Sequence, residues 1–230
     1  MAGFSGTGFR GKGISCVRGE RIVFTGLDFQ IETGGALVLV GPNGSGKSSL
    51  LRVMAGLTRP ATGALEWNGA DVSTRKDAQR ARLHYVGHAD AVKPALSVLE
   101  NVHFWATLLS GPGNESRVAS RRRTERALDE IGIGHLADVP GRFLSAGQRR
   151  RVSLARIIAA PAPLWLLDEP RTALDADATG RLDTLIAEHR GAGGIVVMSL
   201  HAGEKPGGAQ ILDLAAFSPS EPLADVSVFP

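Results

Sequence analysis

A chain of 230 residues, 43% of them hydrophobic, can close one sizeable buried core, which excludes global disorder. Its formal net charge of +3 is too small to argue for nucleic acid by itself, and the single cysteine, Cys16, excludes an internal disulfide and suits a reducing compartment. No apolar run has the length needed to span a bilayer, and the glycine-rich start lacks the apolar centre of a signal peptide, so any membrane channel is expected on another subunit.

Residues 1–12 read as a flexible start. Ile14 to Val17 and Arg21 to Phe24 read as short strands. Leu27, Phe29 and Ile31 alternate with Asp28 and Gln30, the pattern of a strand with one buried face. Thr33-Gly34-Gly35 is a turn. Ala36 to Val40 is a continuous apolar run, as in a parallel strand buried on both faces. It leads into Gly41-Pro42-Asn43-Gly44-Ser45-Gly46-Lys47-Ser48-Ser49, which fits G-x-x-x-x-G-K-[ST] at every fixed position. A helical run with Leu50, Leu51, Val53, Met54 and Leu57 follows. In that strand–loop–helix context the glycines let backbone N–H groups turn inward around a phosphate chain, and the helix adds its positive end. Lys47 would reach the β- and γ-phosphates, and Ser48 would hold Mg²⁺. The competing reading is a glycine turn with an incidental lysine.

Gly63 to Trp67 reads as an antiparallel strand, and the character changes after Leu83-His84-Tyr85-Val86. Ser97-Val98-Leu99-Glu100 is a capping box opening a helix whose Val98, Val102, Trp105 and Leu109 form one stripe, stopped by Gly111-Pro112-Gly113. A charged helix follows, with Arg121 to Arg126 as a solvated face and Ala127, Leu128 and Ile131 as its apolar side. Leu144-Ser145-Ala146-Gly147-Gln148 opens another helix. Leu164 to Leu167 is a buried strand ending at Asp168-Glu169, and Ile195 to Leu200 is another ending at His201. Phosphate loop, acidic pair and histidine thus all stand at the C-terminal ends of apolar strands, the edge where open parallel sheets bind ligands. Asp168 fits the holding of Mg²⁺ directly or through water, and Glu169 the polarising of the attacking water; an exposed strand-end turn is the competing reading. The expected architecture is a single α/β domain over 1–217. Segments 1–87 and 137–217 form the nucleotide-binding core with an antiparallel part, 88–136 is a helical insertion, and 218–230 is a loosely ordered tail.

Taken together, these motifs resemble the ATP-binding-cassette (ABC) ATPases. The phosphate loop is shared with kinases, GTPases and helicases; Leu144-Ser145-Ala146-Gly147-Gln148 resembles the ABC signature, with Ala146 where glycine is commoner. The fold this implies is the ABC-type nucleotide-binding domain of the P-loop NTPases, with a mixed RecA-like sheet, an antiparallel β part and a helical insertion. A narrower resemblance is to the CcmA ATPases of the cytochrome c maturation (haem export) system. It rests on Cys16 to Arg21, Tyr85-Val86-Gly87-His88, Asp138-Val139-Pro140, Trp165 to Asp175 and Gly193 to Val197.

The resemblance implies an ATPase acting as a pair of chains, with two ATP molecules sandwiched head to tail. Ser145, Gly147 and Gln148 would belong to the signature that faces the partner's nucleotide, and Asp175 would communicate across that interface. His201 resembles the switch histidine that contacts the γ-phosphate. His88 stands where a glutamine sensing Mg²⁺ and water is usual, and Arg18 stands near the place of an adenine-stacking aromatic. The implied partners are polytopic membrane subunits and a second copy of the chain, at the cytoplasmic side of the inner membrane. No nucleic acid is expected. Nor is direct haem binding, since there is no Cys-x-x-Cys-His and the six histidines form no evident haem pair. The ATPase of another exporter, or a soluble ABC ATPase acting on nucleic acid or the ribosome, remains open on the sequence.

Overall fold

The computed structural model describes residues 8–110, 117–200 and 207–218. Two long strands, β1 (Phe9–Arg18) and β2 (Arg21–Ile31), form an antiparallel hairpin. They are followed by β3 (Ala36–Val40), α1 (Lys47–Met54), β4 (Thr62–Trp67), β5 (Ala70–Asp71), α2 (Lys76–Ala81) and β6 (Leu83–Val86). Then come α3 (Val98–Ser110), α4 (Arg117–Glu130), α5 (Ala146–Ala159), β7 (Leu164–Asp168), α6 (Ala176–Gly191), β8 (Ile195–Ser199) and β9 (Gln210–Asp213).

The chain divides into two compact units. The first comprises residues 1–85, 163–168 and 189–230. One sheet, in the order β2-β1-β4-β5, is antiparallel; the other has the order β6-β7-β8-β3-β9, with β7–β8, β8–β3 and β3–β9 parallel. The core of this unit joins Phe9, Phe24, Leu27 and Ile31 of the hairpin to Leu50, Leu51 and Met54 of α1 and to Leu37, Leu39, Leu166 and Val197 of the parallel sheet. Strands β3, β7 and β8 are covered on both faces, which is why they are written as unbroken apolar runs.

Three expectations change here. Residues 9–12 are no flexible start: they are the first turns of the ladder in β1, with Phe9 fully buried and its ring 5.4 Å from that of Phe29 and 5.9 Å from that of Trp67. Leu57, read as carried by the helix after the glycine loop, lies beyond it and is 63% exposed, because α1 ends at Met54 and Gly56 turns the chain away at φ +68. A further parallel strand, β9, lies beside β3 in register Leu37↔Gln210 to Val40↔Asp213, where the sequence suggested none.

The second unit comprises residues 86–162 and 169–188. Helices α3, α4 and α5 pack on one another, so the two helices of segment 88–136 share a unit with the helix that follows Ser145. The capping box that opens α3 is formed reciprocally: Glu100 accepts from the Ser97 N–H at 2.8 Å and Ser97 Oγ from the Glu100 N–H at 3.2 Å. Val98 and Val102 are fully buried, while Trp105 lies under the Arg156 guanidinium at 5.0 Å. The Leu109 side chain and Gly111-Pro112-Gly113 fall outside the described residues. In α4, Arg121 and Arg126 are exposed and paired with Glu125 and Glu130, whereas Arg123 is half-buried and donates to the Ala159 carbonyl. Ala127, Leu128 and Ile131 form the buried side. Residues 219–230 lie outside the described residues, as does His201. Among the described residues no helix is long and apolar enough to cross a membrane.

Candidate active site

Strand β3 delivers the glycine loop, and α1 leaves it from Lys47. Gly46 caps α1 in the left-handed region at φ +102, and a Cβ there would lie 2.6 Å from Val23 Cγ1 of the hairpin, so only glycine fits. The first turn of α1 carries no acidic residue, which leaves its positive end unopposed. Lys47 is buried and its ammonium donates to the carbonyls of Gly41 at 2.7 Å and Pro42 at 3.2 Å. Within the loop the Ser45 N–H donates to the Pro42 carbonyl at 3.1 Å, while the Ser45 hydroxyl is buried with no hydrogen-bond partner among the described residues. A backbone cradle, a buried ammonium and an orphaned hydroxyl at one helix N-terminus fit a phosphate chain.

Asp168 ends β7 and is buried. One of its carboxylate oxygens accepts from Ser48 Oγ at 3.1 Å and from Ser199 Oγ at 2.8 Å. A hydroxyl and a carboxylate oxygen beside a phosphate cradle are hard oxygen donors suited to Mg²⁺. Glu169 follows directly in the chain with φ +47, a left-handed conformation that a non-glycine residue adopts only when its surroundings hold it there.

The second unit carries the Leu144–Gln148 segment. Ser145 caps α5: its hydroxyl accepts from the Gln148 N–H at 3.2 Å, and the Gln148 side chain accepts from the Ser145 N–H at 2.8 Å. The hydroxyl proton remains available for donation. A Cβ on Gly147 would stand 2.6 Å from the Ala173 carbonyl, so the first turn of α5 lies directly on the 170–175 segment. Ala173 itself has φ +62. Asp175 caps α6 by accepting from the Ala178 N–H at 2.8 Å and pairs with Arg151 at 2.5 Å. Ser145, Gly147, Gln148, Arg151, Ala173 and Asp175 together line a concavity of about 350 Å³. His88 is exposed in the bend after β6, and Arg18 is exposed at the end of β1.

Sequence spacing did not single out two further residues, Ser199 beside Asp168 in the first unit and Arg150 beside Glu169 in the second. Ser199 sits at the end of an apolar run and reads as its tail. Arg150 stands in a run of three arginines that looks solvated, yet it is buried. It could have been found from helix periodicity, since it lies four residues before Leu154 and seven before Ile157, both buried.

A profile of the ABC transporter family matches residues 24–172. The cytochrome c biogenesis ATP-binding export protein CcmA of Paramagnetospirillum magneticum is 55% identical over 215 residues, covering 94% of this chain and 97% of that protein. The protein of the same name from Rhodospirillum rubrum is 54% identical over 211 residues, 92% of this chain and 87% of that one. Among solved structures, an ABC transporter ATP-binding protein of Pyrococcus furiosus superposes with a TM-score of 0.78 at 24% identity, covering 92% of this chain and 100% of that one. The dimeric post-hydrolysis structure of the ATP-binding cassette MJ0796 with ADP and Pi superposes with a TM-score of 0.72 at 25% identity, covering 84% and 87%. The parallel sheet, the glycine loop and the capped Ser145 helix are therefore those of an ABC nucleotide-binding domain, and the chain belongs to the ABC transporter ATP-binding family and, within it, to the CcmA cytochrome c biogenesis ATP-binding export proteins.

Proposed function

We propose that this ABC ATPase drives cytochrome c maturation as the ATP-hydrolysing subunit of an inner-membrane complex, bound on the cytoplasmic side to polytopic subunits. Its cycle is coupled to haem export or to release of a haem-loaded chaperone. The observation that carries the chemistry is the Ser48–Asp168 hydrogen bond of 3.1 Å beside the glycine loop. Identity of 55% to a CcmA protein over nearly the whole chain supports the pathway.

ATP is the substrate. The backbone N–H groups of the loop Gly41 to Ser49, Pro42 having none, and the α1 N-terminus bind its phosphates, and the Ser45 hydroxyl gains a partner there. Lys47 exchanges the Gly41 and Pro42 carbonyls for β- and γ-phosphate oxygens. Ser48 and Asp168 would hold Mg²⁺, which neutralises charge on the phosphoryl oxygens when bound. Glu169 orients a water in line with the γ-phosphorus and takes its proton. As the water oxygen bonds to phosphorus, the bond to the β–γ bridging oxygen breaks, leaving ADP and phosphate. His88 and His201 sense the γ-phosphate side of the site. Ser145, Gly147 and Gln148 present a second helix N-terminus to the nucleotide of a second copy, and Asp175 relays between the two sites.

The test is Glu169→Gln in the purified membrane complex. ATP binding should persist while hydrolysis falls by about 10²-fold or more. Unchanged turnover would remove Glu169 from the reaction.

A further inference from the structure

Arg150 is the most heavily engaged charged side chain of α5. It is 4% exposed. Nη1 donates to the Gly87 carbonyl at 2.8 Å and lies 3.3 Å from Asp90 Oδ1; Nη2 donates to the Glu169 carbonyl at 2.8 Å; Nε reaches the Pro170 carbonyl at 3.4 Å. All five residues lie in the second unit. One planar group therefore joins the main chain just before His88, and the Asp90 side chain after it, to the main chain at Glu169. A buried charge is a costly way to fill space, since an apolar side chain of similar volume stabilises a core as well. The fork of a guanidinium, by contrast, fixes several carbonyls in one relative geometry. Glu169, whose carbonyl it holds, has a left-handed backbone at φ +47, a conformation that needs enforcing from outside.

We propose that Arg150 is a positioning residue for hydrolysis: it sets the main-chain geometry at Glu169 and just before His88, and with it the aim of the Glu169 carboxylate. Because Arg150 rides on the helix opened by Ser145 and Gly147, the aim of Glu169 is tied to the segment that faces the second nucleotide. The inference rests on the assignment of Glu169 as the base.

The experiment compares Arg150→Lys, which keeps the charge and loses the fork, with Leu154→Ala, a buried apolar truncation in the same helix. Glu169→Gln is the reference. All are made in the full chain purified with its membrane subunits. Melting temperature, affinity for a fluorescent ADP analogue, KM and kcat are measured well below the melting transitions. Arg150→Lys should bind the ADP analogue and show a KM within about twofold of the parent, while kcat falls about tenfold or more, as misplacement of a reacting group by an ångström can cost ~10²-fold. Leu154→Ala should lower the melting temperature and keep kcat. The proposal is overturned if Arg150→Lys keeps kcat, or if Leu154→Ala loses as much kcat as Arg150→Lys. Loss of hydrolysis in Glu169→Gln beside an active Arg150→Lys overturns the positioning role alone. A Glu169→Gln protein as active as the parent overturns the assignment of the base and the positioning role together.

Discussion

Ser48 and Asp168 stand 120 residues apart in the chain, and Ser48 Oγ donates to Asp168 Oδ1 at 3.1 Å. The sheet order makes this meeting. Strand β8 lies between β7 and β3, and Ser199 at its end is in register with Asp168 on one side and Leu39 on the other. Three parallel strands therefore end level, with the glycine loop beginning just beyond Leu39. Ser199 completes the row by donating to the same Asp168 oxygen at 2.8 Å.

Asp168→Asn should follow from this row. The amide keeps the shape and removes the charge that suits Mg²⁺, so Mg²⁺-dependent turnover should fall by about 10²-fold with little loss of fold. Ser199→Ala removes only one donor to the carboxylate and should raise the Mg²⁺ concentration for half-maximal rate modestly. A Mg²⁺ titration of ATPase rate on both variants checks the pair.

Gly147→Ala brings a methyl carbon to 2.6 Å from the Ala173 carbonyl, against backbone that cannot swing aside. Overpacking of this kind costs about 1–3 kcal/mol, and it displaces the turn that positions Ser145 and Asp175. The expected outcome is a lower melting temperature, retained ADP binding at the glycine loop and strongly reduced ATPase. Rates equal to the parent would show that the close approach has no part in turnover.

The strands and helix starts that bear on the site were largely legible, because each is written in local chemistry. The apolar runs at Ala36–Val40, Leu164–Leu167 and Ile195–Leu200, and the capping pairs Ser97/Glu100 and Ser145/Gln148, need only neighbouring residues to be seen. What escaped depends on distant chain. Phe9 to Lys12 is masked by glycines at 8, 11 and 13, and its order comes from pairing with β2 and β4. Strand β9 is a four-residue edge with little burial, held by pairing with β3. Arg150 looks solvated until the carbonyls of Gly87 and Glu169 are seen around it.

His189 predicts an acid limb to stability. Burial pulls its imidazole down to about 4 from an ordinary 6.5, with His84 adding to the effect, and its ring stacks on Trp165 at 3.9 Å. The unfolded chain therefore binds a proton that the fold refuses. Stability is full above pH 6.5, is lost as pH falls from there towards about 4, and levels off below, a total of about 3 kcal/mol. Urea midpoints between pH 7.5 and 4.5 should show this slope, and His189→Phe should flatten it.

Asn101 is the polar anchor at the start of α3. It is buried, accepts from the Lys93 N–H at 2.7 Å, and donates to the carbonyls of Lys93, Leu96 and Ser97. Asn101→Leu strands one N–H and leaves three carbonyls without this donor, a loss of about 2–3 kcal/mol read as an earlier urea midpoint with ADP affinity unchanged.

The central claim, an ATPase serving cytochrome c maturation, is tested most directly by Lys47→Ala in cells whose only copy carries the change. The replacement removes the ammonium from the phosphate loop and leaves the core of the first unit intact. Covalent haem on c-type cytochromes is then measured by haem staining, with the level of the Lys47→Ala protein checked alongside. The account predicts loss of haem attachment at unchanged protein level. Normal haem attachment at unchanged protein level would contradict it and direct the ATPase to another membrane partner.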